Sequence, residues 1–94
     1  MVALVALVHK QPPRHPELRD QARRAVISVG LNLAEGAAQE GRAKGRHYKL
    51  ARASVVEVAA AYELAAAIGE SGPVEAVLDE AAAIAATLTR LCGA

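Results

Sequence analysis

Apolar residues recur every three or four positions through most of the chain, which is the spacing of amphipathic helices. This pattern predicts four helices, at about residues 2–10, 16–38, 42–68 and from residue 73 onward. In the first segment Val2, Leu4, Val5 and Val8 give a helical apolar face, and strand-like alternation also fits part of it. The connections between them are short, and short connections favour antiparallel neighbours. We therefore predict an all-α fold in which residues 1–94 form one up-down-up-down four-helix bundle with a short first helix.

Proline and glycine mark the breaks between these segments. The prolines at positions 12, 13 and 16 end the first helix, and Pro16 suits the first turn of the second. Glycines at 36, 41 and 45 loosen the junction before the third helix. Gly69 is the expected C-cap of the third helix, and Gly72-Pro73 predicts a sharp turn with Pro73 at the first helical position.

The second and third helices each have two apolar faces. In the second helix the first face contains Ala22, Val26, Val29 and Leu33, whose helical spacing predicts a core stripe, and the second contains Ile27, Leu31 and Ala34. In the third helix the first face contains Tyr48, Ala51, Val55, Val58, Tyr62 and Ala65, and the second contains Leu50, Ser54, Glu57, Ala61, Leu64 and Ile68. The fourth helix has one seam, made of Val74, Val77, Ala81, Ile84, Leu88 and Leu91. A helix that is apolar on two sides needs two partners, of which one can be its own bundle and the other a neighbouring subunit.

Composition also favours assembly. Hydrophobic residues make up 53 % of the chain, yet Phe and Trp are absent and there are two Tyr. A short chain with such small core residues is marginal as a monomer, and the single cysteine, Cys92, cannot form an internal disulfide. One cysteine suggests a reducing compartment, and the apolar start from Met1 to Val8 is too short to span a bilayer. We therefore expect a cytoplasmic homo-oligomer that does not associate with membranes.

Charge is unevenly distributed along the chain. Residues 10–52 contain ten basic and four acidic side chains, net +6, whereas residues 53–94 contain one basic and six acidic, net −5. Such asymmetry can mark a surface for polyanions, or reflect solvated helix faces that pair with each other. The candidate nucleic-acid-binding residues are Arg42, Lys44, Arg46, Lys49 and Arg52.

A stripe of polar residues runs along the second helix and continues on the third. Its members are Gln21, Arg24, Ser28, Asn32, Glu35, Ser54 and Glu57. We predict a structural hydrogen-bonded network between helices or subunits, in which Arg24 neutralises Glu35 or Glu57. The alternative is a carboxylate pair for acid–base or metal chemistry, but the Glu-x-x-His pairs of di-metal bundles do not occur. The three histidines are dispersed and Cys92 has no local base. We therefore predict no catalytic residue, metal or cofactor, and no enzymatic activity.

Two blocks carry a family resemblance. Residues 20–36, DQARRAVISVGLNLAEG, resemble the pattern D-Q-x-R-R-A-x-x-S-(I/V)-x-x-N-(I/L)-A-E-G of the four helix bundle protein family, also called 23S rRNA-intervening-sequence proteins. Residues 47–57, HYKLARASVVE, resemble the family's looser block F-L-x-I-A-x-G-S-x-x-E. His47-Tyr48 stands where the family has a bulky apolar pair, and Ala53 where it has glycine. The first helix is about half the family's usual length, so one end of the bundle is expected to be open or covered by a partner.

The resemblance implies a homo-oligomer, commonly a pentameric ring. It also implies relatedness to the accessory variability determinant proteins of diversity-generating retroelements, which bind nucleic acid and a reverse transcriptase. From the charge and the two blocks we expect a non-enzymatic oligomer that binds RNA, DNA or a nucleic-acid enzyme through its basic surface. The alternative is a protein–protein assembly module that does not bind nucleic acid.

Overall fold

The computed structural model describes residues 1–70 and 73–92, and within them it contains four helices and no strand. The helices are α1, Val2–Lys10; α2, Pro16–Ala38; α3, Gly41–Ala67; and α4, Val74–Leu91. The all-α, four-helix prediction is confirmed. None of these helices is long and apolar enough to cross a membrane. Gly72 of the predicted Gly72-Pro73 turn lies outside the described residues.

The helices pack side by side in an elongated body measuring 43 × 19 × 18 Å. Helix α3 packs along α2 on one side and along α4 on the other, while α1 contacts α2 and α4. Contacts such as those of Ser28 with Ser54 and of Cys92 with Gly45 show that successive long helices run antiparallel. This agrees with the bundle expected from the short connections, because a two-residue link between α2 and α3 leaves no room for a crossover.

The core consists of two adjoining clusters. The first draws on all four helices and includes Leu4 and Val8 of α1 packed against Val26, Tyr62 and Val77. The second draws on α2, α3 and α4 only; its buried members are Val29, Tyr48, Ala51, Val55, Ala81 and Leu88. Helix α1 is therefore a core element over one part of the bundle, and the remainder is a three-helix structure.

Burial distinguishes the two apolar faces of α2 and of α3. The first face of α3 is buried throughout, from Tyr48 to Ala65, and three of the four residues on the first face of α2 are buried as well. Of the second faces, only Ser54 and Ala61 are buried. The large residues left at the surface are Ile27, Leu31, Leu50, Leu64 and Ile68, which we name the α2–α3 stripe.

The helix ends follow their local sequence signals with one difference. Gly69 has φ +81°, and the bonds from Gly69 N–H to Ala66 O and from Glu70 N–H to Ala65 O form a Schellman motif that ends α3. Pro16 occupies the first turn of α2 as expected. Pro73, predicted at the first helical position of α4, instead lies one residue earlier as its N-cap, and its carbonyl accepts the first α-helical hydrogen bond, from Val77 N–H.

Gly36 lets the end of α2 lie directly against the ring of Tyr48. A Cβ atom at this position would come within 2.6 Å of Tyr48 Cε1, and Tyr48 is buried. We expect Gly36→Ala to lower the free energy of unfolding by about 1–3 kcal/mol, because the ring has to move within a packed core. Gly45→Ala is the matched control, since nothing lies within 4 Å of that Cβ and alanine favours the helix by about 1 kcal/mol. Urea unfolding should therefore give changes of opposite sign, and equal changes would contradict the close contact.

Tyr62 anchors the segment between α1 and α2. Its side chain is fully buried, and its hydroxyl donates a 2.9 Å hydrogen bond to the carbonyl oxygen of Gln11. Burial raises the pKa of the Tyr62 hydroxyl to about 12, and the nearby Arg23 charge only partly opposes this.

A tyrosine whose pKa is raised on folding stabilises the protein only while it stays protonated. This stability is complete below the unfolded pKa of 10.0 and is lost as the pH rises to about 12. We expect the wild type to lose roughly 2 kcal/mol more than Tyr62→Phe across this range, although the variant starts about 1 kcal/mol less stable. Urea unfolding of both proteins below pH 10 and near pH 12 measures the difference. If the free energies of unfolding of the two proteins change in parallel with pH, folding does not raise the pKa of the Tyr62 hydroxyl.

Candidate functional site

The antiparallel fold divides the basic half of the sequence between the two ends of the molecule. Because α2 and α3 run in opposite directions, the cations at the start of α2 lie far from those at the start of α3. The end formed by the start of α3 and the ends of α2 and α4 we name the basic end. Its cations are Arg42, Lys44, Arg46, Lys49, Arg52 and Arg90, and its acids are Glu35 and Glu40, net +4.

The rest of the molecule has a small negative net charge. It combines five cations from residues 10–24 with eight acids, which come from the start of α2, from α3 and the residues after it, and from α4. Its net charge is −3. The excess of positive charge is therefore confined to the basic end, while the cations of residues 10–24 share their end of the molecule with acids.

Three cations of the basic end share one cleft. Arg42, Arg46 and Lys49 line a space of about 640 Å³ together with Gly41, Gly45 and Cys92. All three cationic side chains are exposed, and within the described residues none of them forms an ion pair. The helical spacing of residues 42, 46 and 49 places them on one side of α3. Three solvated cations on one face can each contact a different phosphate of a polyanion.

The other cations of this end have partners within the bundle. The Lys44 ammonium lies 6.0 Å from the centre of the Tyr48 ring. The Arg52 guanidinium donates a 3.2 Å hydrogen bond to Thr89 Oγ1 on α4, and Arg90 donates one of 3.3 Å to Thr87 Oγ1. Arg90 was not among the predicted residues. Arg90 lies at the basic end because the C-terminus of α4 packs beside the start of α3. Spacing along the sequence does not reveal this proximity.

Stacking of bases on tyrosine is not available at this surface. Tyr48 and Tyr62 are both buried in the core, as their spacing predicted. A nucleic-acid contact at the basic end would therefore rest on charge and on the hydrogen-bond donors of arginine and lysine.

The predicted polar network forms in part, between α2 and α3. Ser54 Oγ donates a 2.8 Å hydrogen bond to Ser28 Oγ, and Asn32 Nδ2 donates to the carbonyl oxygen of Ser28 at 3.0 Å and to its Oγ at 3.2 Å. His47, which the sequence analysis did not include in the network, is a further member. Its Nδ1 lies 3.1 Å from Asn32 Oδ1, and since this oxygen is an acceptor, Nδ1 carries the hydrogen. These hydrogen bonds give partners to four buried or half-buried polar side chains, those of Ser28, Asn32, His47 and Ser54. They also fix the register of α2 against α3.

The remaining predicted members of the network stay at the surface. Glu35 is 61 % exposed and has its carboxylate 4.0 Å from His47 Nε2. Gln21, Arg24 and Glu57 are exposed, and in the described part of the chain they make no side-chain hydrogen bond or ion pair. The predicted neutralisation of Glu35 or Glu57 by Arg24 is therefore not seen within the monomer, because all three side chains point to solvent.

The chemistry-bearing residues do not converge on one site. Within residues 1–70 and 73–92, no three His, Cys, Asp or Glu side chains are grouped so that they could hold a metal ion. Cys92 is a free, half-buried thiol with Sγ 4.0 Å from the carbonyl oxygen of Gly45. His47 Nδ1 is hydrogen-bonded to Asn32. The exposed carboxylates of Glu35 and Glu57 lie on different helices.

Comparison with known proteins connects this fold to one family. A family profile described as 23S rRNA-intervening sequence protein matches residues 2–90, which include all of the first three helices and nearly all of α4. No match was found among curated proteins or among solved structures. The match includes both blocks that carry the resemblance and extends over nearly the whole chain. The chain belongs to the 23S rRNA-intervening sequence protein family.

Proposed function

We propose that this protein is a non-enzymatic, oligomeric helical bundle that binds nucleic acid through its basic end. The observation that carries the proposal is the cleft in which Arg42, Arg46 and Lys49 lie exposed on one side of α3 without an acidic partner in the described residues. The rest of the chain carries a net charge of −3, so a polyanion is attracted to this end and not to the whole surface.

Recognition at such a surface depends on phosphates and not on bases. Arginine and lysine contact phosphate oxygens irrespective of sequence, and the buried tyrosines offer no platform for base stacking. We therefore expect RNA and DNA to bind with little sequence preference. A partner enzyme that carries nucleic acid, such as a reverse transcriptase, would meet the same surface. The proposal places the protein in the cytoplasm, where such partners are available.

The second part of the proposal is self-association through the α2–α3 stripe. Leu31 and Leu50 are 63 % and 48 % exposed, and Ile27, Leu64 and Ile68 are exposed to a similar degree. A soluble bundle rarely leaves so many large aliphatic residues on neighbouring helices in water, and such patches mark protein interfaces. A closed ring, with five copies as the resemblance implies, would repeat the basic end around its axis and multiply weak phosphate contacts.

A second candidate function rests on the stripe alone. A small helical bundle that assembles through an apolar face can serve as a protein–protein assembly module without any nucleic acid. In that case the basic end is a solvated surface, and only the stripe is functional.

The salt dependence of nucleic-acid binding separates the two candidates. We would measure light scattering after size exclusion, and fluorescence anisotropy with a short labelled RNA or DNA duplex. With three phosphates contacted per copy, affinity for DNA should fall by about 40-fold or more between about 50 mM and about 200 mM salt. If the oligomer binds neither duplex at low salt, the protein–protein assembly module remains as the function. Binding that does not change with salt would contradict the electrostatic mechanism.

A further inference from the structure

A second cationic pocket lies at the end of the molecule opposite the basic end. It has a volume of about 370 Å³, and the described residues that line it are Lys10, Gln11, Pro12, Pro13, Arg14, Arg19 and Pro73. Its three cations come from different segments: Lys10 ends α1, Arg14 belongs to the link between α1 and α2, and Arg19 lies near the start of α2. Because no helical spacing relates these three positions, the tertiary fold brings them together.

The pocket is built on a rigid frame. Three of its lining residues are prolines, whose rings fix the backbone angle φ. Pro13 is fully buried, and the carbonyl oxygen of Gln11 accepts the hydrogen bond from the buried Tyr62 hydroxyl. Helix α1, which carries Lys10, is held in the core by its own buried residues. A frame that is ordered before binding lowers the entropy cost of holding a ligand.

The cations of this pocket have no acid among them. Glu17 and Asp20 are close in sequence, but neither lines the pocket. Over the part of the chain that the structure describes, no ion pair joins an acid to Lys10, Arg14 or Arg19. A long polyanion responds to charge summed over about 8–10 Å, and the acids of this end reduce that sum. A small anion inside the pocket would contact the three cations directly, so the pocket favours a compact anion.

We propose that this pocket binds a phosphomonoester, the phosphate group of a small organic molecule. Such a group carries a charge of about −1.5 to −2 at pH 7 and has three acceptor oxygens, which matches three cations. Arg14 and Arg19 can each donate paired hydrogen bonds to phosphate oxygens, and Lys10 supplies a compact charge. The volume of the pocket exceeds that of a phosphate group and lies within the range of small-molecule sites, about 300–1,000 Å³. The organic part can therefore lie against the rings of Pro12 and Pro73.

This pocket is separate from the basic cleft and from the α2–α3 stripe, so the inference does not depend on the proposed function. The experiment is an NMR titration of the isotope-labelled full chain with a nucleoside 5′-monophosphate. The control ligands are the nucleoside without phosphate and the 3′,5′-cyclic monophosphate, which carries a single negative charge. Arg14→Gln removes a cation from the pocket, and the matched variant Arg24→Gln removes an exposed cation that does not line it. A short single strand with and without a 5′-phosphate shows whether the group can belong to the end of a nucleic acid.

We expect the monophosphate to shift the backbone amide resonances of Gln11 and Arg14, the cyclic compound to bind more weakly and the nucleoside to leave them unchanged. Arg14→Gln should weaken binding at least about tenfold, because a charged hydrogen-bond donor is lost. Arg24→Gln should change it by less than about twofold. If the 5′-phosphorylated strand shifts the same resonances, the pocket accepts the end of a nucleic acid; if only the mononucleotide does, it takes a free small molecule.

The proposal is wrong if the resonances of Gln11 and Arg14 do not move at monophosphate concentrations up to about 5 mM. It is also wrong if the monophosphate shifts Arg46 and Lys49 in their place, since the basic end would then bind the phosphate. Equal weakening by Arg14→Gln and Arg24→Gln would show a response to net charge alone and would contradict a site at this pocket.

Discussion

Replacing Arg42, Arg46 and Lys49 together by glutamine is expected to lower nucleic-acid affinity by roughly 100- to 1,000-fold at about 0.1 M salt. The three side chains line one cleft and lie on one side of α3, so each is free to contact a separate phosphate. Losing three phosphate contacts per copy removes the corresponding release of counterions. The slope of log affinity against log salt should therefore become shallower by about 3 for a DNA duplex. Fluorescence anisotropy at several salt concentrations measures both quantities.

The control for this variant comes from the opposite end of the bundle. Lys10, Arg14 and Arg24 are also exposed, and replacing them by glutamine changes the net charge by the same amount. Because acids of α3 and α4 lie at that end, we expect a change in affinity of less than about threefold and an unchanged salt slope. If both triple variants lose binding equally, binding follows the net charge of the protein and the basic end has no special role. Circular dichroism should show both variants folded, since all six positions are on the surface.

Replacing Leu31 and Leu50 together by glutamate is expected to convert the proposed oligomer into a folded monomer of 9.7 kDa. Both side chains are exposed in the single bundle, so the change leaves its core intact. In an assembly through the α2–α3 stripe, each leucine would be buried and would contribute about 1.5–3 kcal/mol. A carboxylate at the same position would instead lose its hydration without a partner, which costs several kcal/mol. Light scattering after size exclusion gives the mass, and thermal unfolding tests whether the monomer remains folded.

A matched pair of changes tests whether the stripe is the interface. Val2 and Val56 are exposed apolar residues like Leu31 and Leu50 but lie off the stripe, and replacing them by glutamate makes the same change in charge. We expect this pair to leave the mass of the oligomer unchanged. If the glutamate substitutions at Val2 and Val56 dissociate the oligomer while those at Leu31 and Leu50 do not, another face forms the subunit contact. A wild-type protein that is monomeric at every concentration would remove self-association from the proposed function.

The sequence alone predicted the elements of the fold because the signals for them are local. Helical spacing gave α1 and α2 with the bounds observed, and the prolines and Gly69 end or begin helices through their own backbone preferences. The first face of α2 was predicted to be core, and three of its four residues are buried, since a regular apolar stripe has no other favourable place in a bundle. The family followed from two blocks that are themselves local patterns.

The candidate sites depend on the way in which the helices pair, and spacing along the chain does not contain that information. Which of the two apolar faces of α3 packs within its own bundle was left open, because both faces have helical periodicity. His47 contacts Asn32 only because α3 folds back along α2, and the same reversal separates the early arginines from those of the basic end. Electrostatic attraction, hydrogen bonding and packing act between side chains that are close in space. The sequence by itself therefore determined the helices and the family, and only the tertiary structure decided which charges remain unbalanced and which apolar faces stay exposed.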